Sequence, residues 1–167
     1  MLGELSDLYS KPLLVLGCGN TLFGDDGFGP EVARRLAVAR DLPATVGVLD
    51  AGTGVRDLLF DLLLLSERPT AIVVVDAVSD TGRPPGTLME LEVERLPAAK
   101  STDFSLHQFP SVNLLRELEQ QAGVAVRVLV VQTEAIPDQV RPGLSRPVAA
   151  AVPAACRWIR ETIGGFL

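Results

Sequence analysis

Pro12-Leu13-Leu14-Val15-Leu16-Gly17 runs directly into Cys18-Gly19-Asn20-Thr21-Leu22-Phe23-Gly24-Asp25-Asp26-Gly27-Phe28-Gly29. The first six residues read as a buried strand that breaks at glycine, because an apolar run this short and uninterrupted has no polar face to show to water. The next twelve are too rich in Gly and Asp for regular structure. Pro30 then stands at a plausible first helical position, where a missing N–H costs nothing. Val32, Ala33, Leu36 and Ala37 make an apolar helical face that ends before Pro43. Strand, acidic glycine loop and helix in this order are the opening unit of an α/β fold.

The same alternation continues outward. Thr45 to Leu49 reads as a second strand closing on Asp50-Ala51-Gly52-Thr53-Gly54, followed by a helix over Val55 to Leu65. Ala71 to Val75 is β-branched and apolar on both faces, as a strand covered by helices on both sides would be, and ends at Asp76. After the Pro85-Gly86 turn, Met89, Leu91 and Val93 alternate with Glu90, Glu92 and Glu94, the period of a strand with one wet face and a candidate sheet edge. A helix over Val112 to Gln121, an interior strand over Ala125 to Val131, and a last helix from near Ser145 complete the chain. In that last helix Pro147 sits in the first turn, and Val148, Val152, Ala155 or Cys156, Ile159 and Ile163 form one stripe. The expected architecture is a single domain over residues 1–167: a three-layer α/β fold whose twisted, mostly parallel sheet of about five strands is flanked by helices.

Length and composition agree. A chain of 167 residues suits one core, and a hydrophobic share of 47% against 22% charged residues can fill it. The net charge of −6 and scattered Arg, with Lys only at Lys11 and Lys100, speak against nucleic acid. The beginning of the chain lacks a basic, apolar leader, and no apolar run approaches the ~20 residues that cross a bilayer, so the expectation is a cytoplasmic protein without membrane contact. Cys18 and Cys156 lie too far apart in sequence for a zinc knuckle or a CxxC redox pair.

In parallel sheets, chemistry gathers beyond the carboxyl ends of the strands. Asp25-Asp26, Asp50 and Asp76 fall at three such ends, and the single histidine, His107, lies in Ser105-Leu106-His107-Gln108-Phe109-Pro110 before a helix. Two carboxylates and one imidazole from separate strand ends could hold a borderline divalent metal with positions left open. Each also has a plainer role. Asp25 and Asp26 suit bracing or capping of the glycine loop, Asp50 suits bracing of Gly52–Gly54, and a lone histidine often satisfies a backbone carbonyl. Cys18 fits better as a small buried residue than as a nucleophile, and Cys156 lies on the core stripe. Gly17-x-Gly19 after a strand, with Asp50 ending the next, invites a dinucleotide-binding oxidoreductase as the alternative. Leu22 takes the third glycine position, however, and Asp25-Asp26 would repel a pyrophosphate at the helix start. A non-enzymatic binding module is a third option, favoured if the acids are buried caps without metal affinity.

Gly17 to Gly29 resembles the opening signature of the [NiFe]-hydrogenase maturation proteases. Leu49-Asp50-Ala51-Gly52-Thr53-Gly54, Val75-Asp76-Ala77-Val78, Pro85-Gly86-Thr87 and Ser105-Leu106-His107-Gln108 fit the same family in order and spacing. The Phe104 to Pro110 segment and the Asp-Asp-Gly-Phe-Gly form look most like the branch serving cofactor-reducing cytoplasmic hydrogenases. The resemblance implies an endopeptidase, aspartic-type or metal-assisted, that removes a C-terminal extension from the nickel-loaded large-subunit precursor. It implies metal contacts at Asp26, Asp76 and His107, with nickel carried by the substrate and no organic cofactor. Many relatives have glutamate at the first position, one methylene longer than Asp26. A monomer is favoured.

Overall fold

A computed structural model describes residues 7–95 and 112–166. Among them, five strands form one sheet in the order β2-β1-β3-β5-β4: β1 (Leu13–Cys18), β2 (Val46–Gly52), β3 (Ala71–Val78), β4 (Leu88–Leu91) and β5 (Ala125–Gln132). β1, β2, β3 and β5 run parallel, and β4 pairs antiparallel with β5 at the edge, as the alternation at Met89–Leu91 predicts. The sheet is covered by α1 (Phe28–Ala39), α2 (Val55–Leu64), α3 (Val112–Gln120) and α4 (Arg146–Gly164).

The layering follows from side-chain alternation along the central strands. Leu14 and Leu16 of β1, with Ile72 and Val74 of β3, face α2 and α3 through Leu58, Leu59, Leu62, Leu115 and Leu118. Leu13 and Val15, with Val73 and Val75, face the other way onto Phe28, Val32 and Leu36 of α1 and Val148, Val152, Ala155, Ile159 and Ile163 of α4. Each of the Val, Leu, Ile and Phe side chains removed from water stabilises the fold by roughly 1.5–3 kcal/mol before entropy is charged against it. The helical stripe expected from Val148 to Ile163 is therefore the buried face of α4. That helix continues through Pro153, which is absent from the sequence expectation.

Several boundaries differ from the sequence reading. The glycine loop is not wholly irregular, since Gly24–Gly27 forms a 3-10 turn. α1 begins at Phe28, so Pro30 is its third residue. β2 runs through Asp50 to Gly52. β3 does not end at Asp76 but continues to Val78, because β5 is long enough to pair with Asp76, Ala77 and Val78 through Val130, Val131 and Gln132. The β4 ladder stops at Leu91, and Val93–Arg95 turns into a 3-10 helix with Val93 still buried.

The chain steps from β1 to β2 on one side and then crosses to β3 on the other, so the strand order reverses between β1 and β3. β1 pairs with β3 only as far as Gly17 opposite Val75. A crevice at this end is where open α/β sheets bind ligands. No helix among the described residues is long and apolar enough to cross a membrane.

Candidate active site

The glycine loop is pressed onto the ends of β1 and β3, and two glycines make the approach possible. A methyl group on Gly29 would sit 2.3 Å from the Cys18 carbonyl oxygen and 2.4 Å from that of Val75. Gly19 has φ +130°, and a Cβ there would lie 1.9 Å from the Asp26 carbonyl oxygen. The first turn of α1 therefore packs against β3 at Val75, next to Asp76, and brings the 3-10 turn onto β3 instead of leaving it in solvent.

The two acids of that turn have different partners. Asp25, 1% exposed, accepts hydrogen bonds from the Ser145 amide (2.6 Å), the Ser145 hydroxyl (2.9 Å) and the Glu134 amide (2.8 Å). It thus clips both ends of segment 134–145 and satisfies the residue that precedes α4, where a negative charge is also favoured by the helix dipole. Phe23 and Arg141 add a parallel bridge between the loop and the middle of that segment. Asp26, also 1% exposed, accepts the Asn20 amide at 2.7 Å, and Asn20 in turn accepts the Leu22 amide at 3.0 Å. Asp76 is 2% exposed, with Oδ1 accepting the Ala77 amide at 2.8 Å.

Asp26 on the 3-10 turn and Asp76 on β3 thus belong to two elements that pack together near the carboxyl ends of β1 and β3. A buried carboxylate is costly unless it is hydrogen-bonded or charge-compensated, and each of these two accepts a backbone amide. His107, the third expected ligand, lies outside the described residues. Among the described residues no group of three or more His, Cys, Asp or Glu could hold a metal ion. Asp50 is exposed and accepts the Gly52 amide at 3.0 Å, the bracing role anticipated for it.

Cys18 is buried beside these acids. Burial pushes its thiol well above the ordinary range, and the charges of Asp76 and Asp50 push in the same direction. It therefore stays a neutral thiol, its Sγ 3.7 Å from the Leu16 carbonyl oxygen, and is unsuited to be a nucleophile. The loop is equally unsuited to a pyrophosphate: the Asn20 amide, one of those that would cradle it, is held by the Asp26 carboxylate.

Two polar residues at the same end carry no motif. Gln132 accepts both the amide and the hydroxyl of Thr81, and the Thr133 hydroxyl lies 2.9 Å from that of Ser79. Together they tie the turn after β3 to the end of β5. The strand-end rule applied to β5 points to them; no residue spacing does.

A family model described as hydrogenase maturation protease matches residues 30–162. A Methanocaldococcus jannaschii protein that carries the name of a hydrogenase maturation protease is 41% identical over 147 residues, covering 87% of this chain and 92% of its own. The coenzyme F420 hydrogenase subunit delta of Methanothermobacter thermautotrophicus is 37% identical over 159 residues, covering 93% and 97%. Among solved structures, the hydrogenase-maturating endopeptidase HybD of Escherichia coli superposes with a TM-score of 0.70 at 28% identity, covering 92% of each chain.

Proposed function

The chain belongs to the hydrogenase maturation protease family, and from that premise we propose that it removes the C-terminal extension of a [NiFe]-hydrogenase large-subunit precursor after nickel insertion. In this reading Asp26, Asp76 and His107 contact the nickel that the substrate carries. The single observation that supports it best is the burial of two carboxylates, Asp26 on the 3-10 turn and Asp76 on β3, two elements that pack together at the end where the strand order reverses.

The chemistry follows from the parts. A precursor nickel already held by thiolates offers open positions that hard oxygen and imidazole donors can fill, which seats the scissile amide near Asp26 and Asp76. Water adds its oxygen to the carbonyl carbon, the C–N bond breaks, and the proton removed from water ends on the leaving amine. Asp26 or Asp76 acts as general base on that water, or the substrate's nickel polarises the carbonyl or the water. Serine and cysteine acyl-enzyme routes do not fit, since the one histidine is used as a ligand and Cys18 is held neutral. The partner is the precursor itself. The relative named as a coenzyme F420 hydrogenase subunit supports a client among cofactor-reducing hydrogenases.

The test is intact-mass analysis of a precursor with and without inserted nickel after incubation with wild type, Asp26→Ala, Asp76→Ala and His107→Ala. Loss of a short C-terminal peptide from the nickel-loaded precursor alone, abolished by each substitution, is expected. An intact, verified nickel-loaded cognate precursor after exposure to wild type would sink the reading.

A further inference from the structure

A cleft of about 450 Å³ opens on the α1/α4 side of the sheet. Gly24 and Gly27, which bracket Asp25-Asp26, line it together with Thr21. Its other walls are Glu31 and Arg35 of α1, residues 142–144, and Ala149 and Val152 of α4. The cleft is thus contiguous with the turn that carries Asp26. Its volume lies within the ~300–1,000 Å³ of ligand-binding clefts.

Its chemistry is that of a peptide subsite. Leu144, Ala149 and Val152 give apolar wall. Of the two charged lining residues, Glu31 is neutralised by Arg34, whose guanidinium bonds both carboxylate oxygens at 2.9 and 2.7 Å and holds the Glu31 pKa down. Arg35 is exposed and makes no hydrogen bond or ion pair among the described residues; its charge also helps hold the Glu31 pKa down, so the cleft carries a second positive side chain beside the Glu31–Arg34 pair in a protein of net charge −6. A cation and an apolar wall match a carboxylate and an apolar side chain of a polypeptide.

Resting on the protease reading above, we propose that this cleft receives the C-terminal extension of the precursor, with an apolar side chain of the extension against Leu144, Ala149 and Val152 and one of its carboxylates paired with Arg35. The cleft then contributes to selection of the substrate without touching the reacting atoms.

The experiment is steady-state cleavage of the nickel-loaded precursor by wild type, Arg35→Glu, Ala149→Trp and Arg157→Glu. Arg157 is exposed two turns further along α4 and makes the same change in net charge. Arg35→Glu should raise KM at least about tenfold with kcat within about twofold, and Ala149→Trp should raise KM by filling the cleft. The wild-type KM should climb with ionic strength while that of Arg35→Glu does not. Arg157→Glu should match wild type. An unchanged KM in Arg35→Glu overturns the subsite while leaving the protease reading intact, and it remains decisive if Ala149→Trp fails to fold. A change in the mass of the free protein on Ala149→Trp with unaltered KM assigns the cleft to self-association, which also overturns the proposal. No cleavage by wild type removes both.

Discussion

Replacing Asp25 by Ala should unfold the protein more readily without touching the reacting groups. The carboxylate is 1% exposed and accepts three hydrogen bonds at 2.6–2.9 Å, all from residues more than a hundred positions away in sequence. Bonds to a charged acceptor contribute about 1.5–3 kcal/mol each, and removing the acceptor also strands the Glu134 and Ser145 amides. Because the three bonds share one carboxylate they do not add, and a loss of roughly 3–5 kcal/mol is expected by analogy with breaking a buried charged pair. For a domain of this size each kcal/mol moves the midpoint by about 2–4 °C, so Tm should fall by roughly 6–20 °C. Asp25→Asn keeps one acceptor oxygen and should lose less. Calorimetry or thermal circular dichroism measures the shift, and cleavage assayed well below the lowered midpoint should persist. Asp26→Asn, assayed where it remains folded, should lose cleavage. The opposite pattern, a wild-type Tm for Asp25→Ala with cleavage gone, would show that Asp25 is the functional acid and that the division of labour within the pair is wrong.

Gly29→Ala gains helix propensity but sets a methyl group against backbone at 2.3–2.6 Å, a clash side-chain rearrangement cannot relieve. A net loss of about 1–3 kcal/mol or more is expected in urea titration, whereas Gly164→Ala, with open space around its new methyl group, should be neutral or stabilising by up to about 1 kcal/mol. Burial raises both Cys18 and Cys156, while an unfolded thiol ionises near 8.5. Above about that pH the unfolded chain has lost protons that the native state keeps, so stability should fall with rising pH, and Cys18→Ala should flatten the slope. Cys18→Ala should also cleave the precursor; loss of cleavage in a folded Cys18→Ala protein would contradict the neutral, non-nucleophilic role.

Local sequence was enough for the alternation of strands and helices, since a buried strand such as Leu13–Cys18 and a striped helix such as α4 leave their periods in the side chains that water excludes. It was also enough to pick out Asp76 near the carboxyl end of β3 and the acidic glycine loop after β1. Element ends were less legible. β3 outlasts Asp76 because β5 offers it partners, and the β4 ladder stops at Leu91 despite continuing alternation, because pairing is a property of two strands. The Asp25-Asp26 pair shows the same limit. As neighbours of one type they are indistinguishable in sequence, and only the fold, by bringing Glu134 and Ser145 onto one carboxylate and leaving the other beside Asn20 and β3, gives them different work. Gln132 and the cleft by Arg35 were invisible for that reason too: each is made of contacts between segments far apart in the chain, and long-range packing leaves no period or spacing in the sequence that builds it.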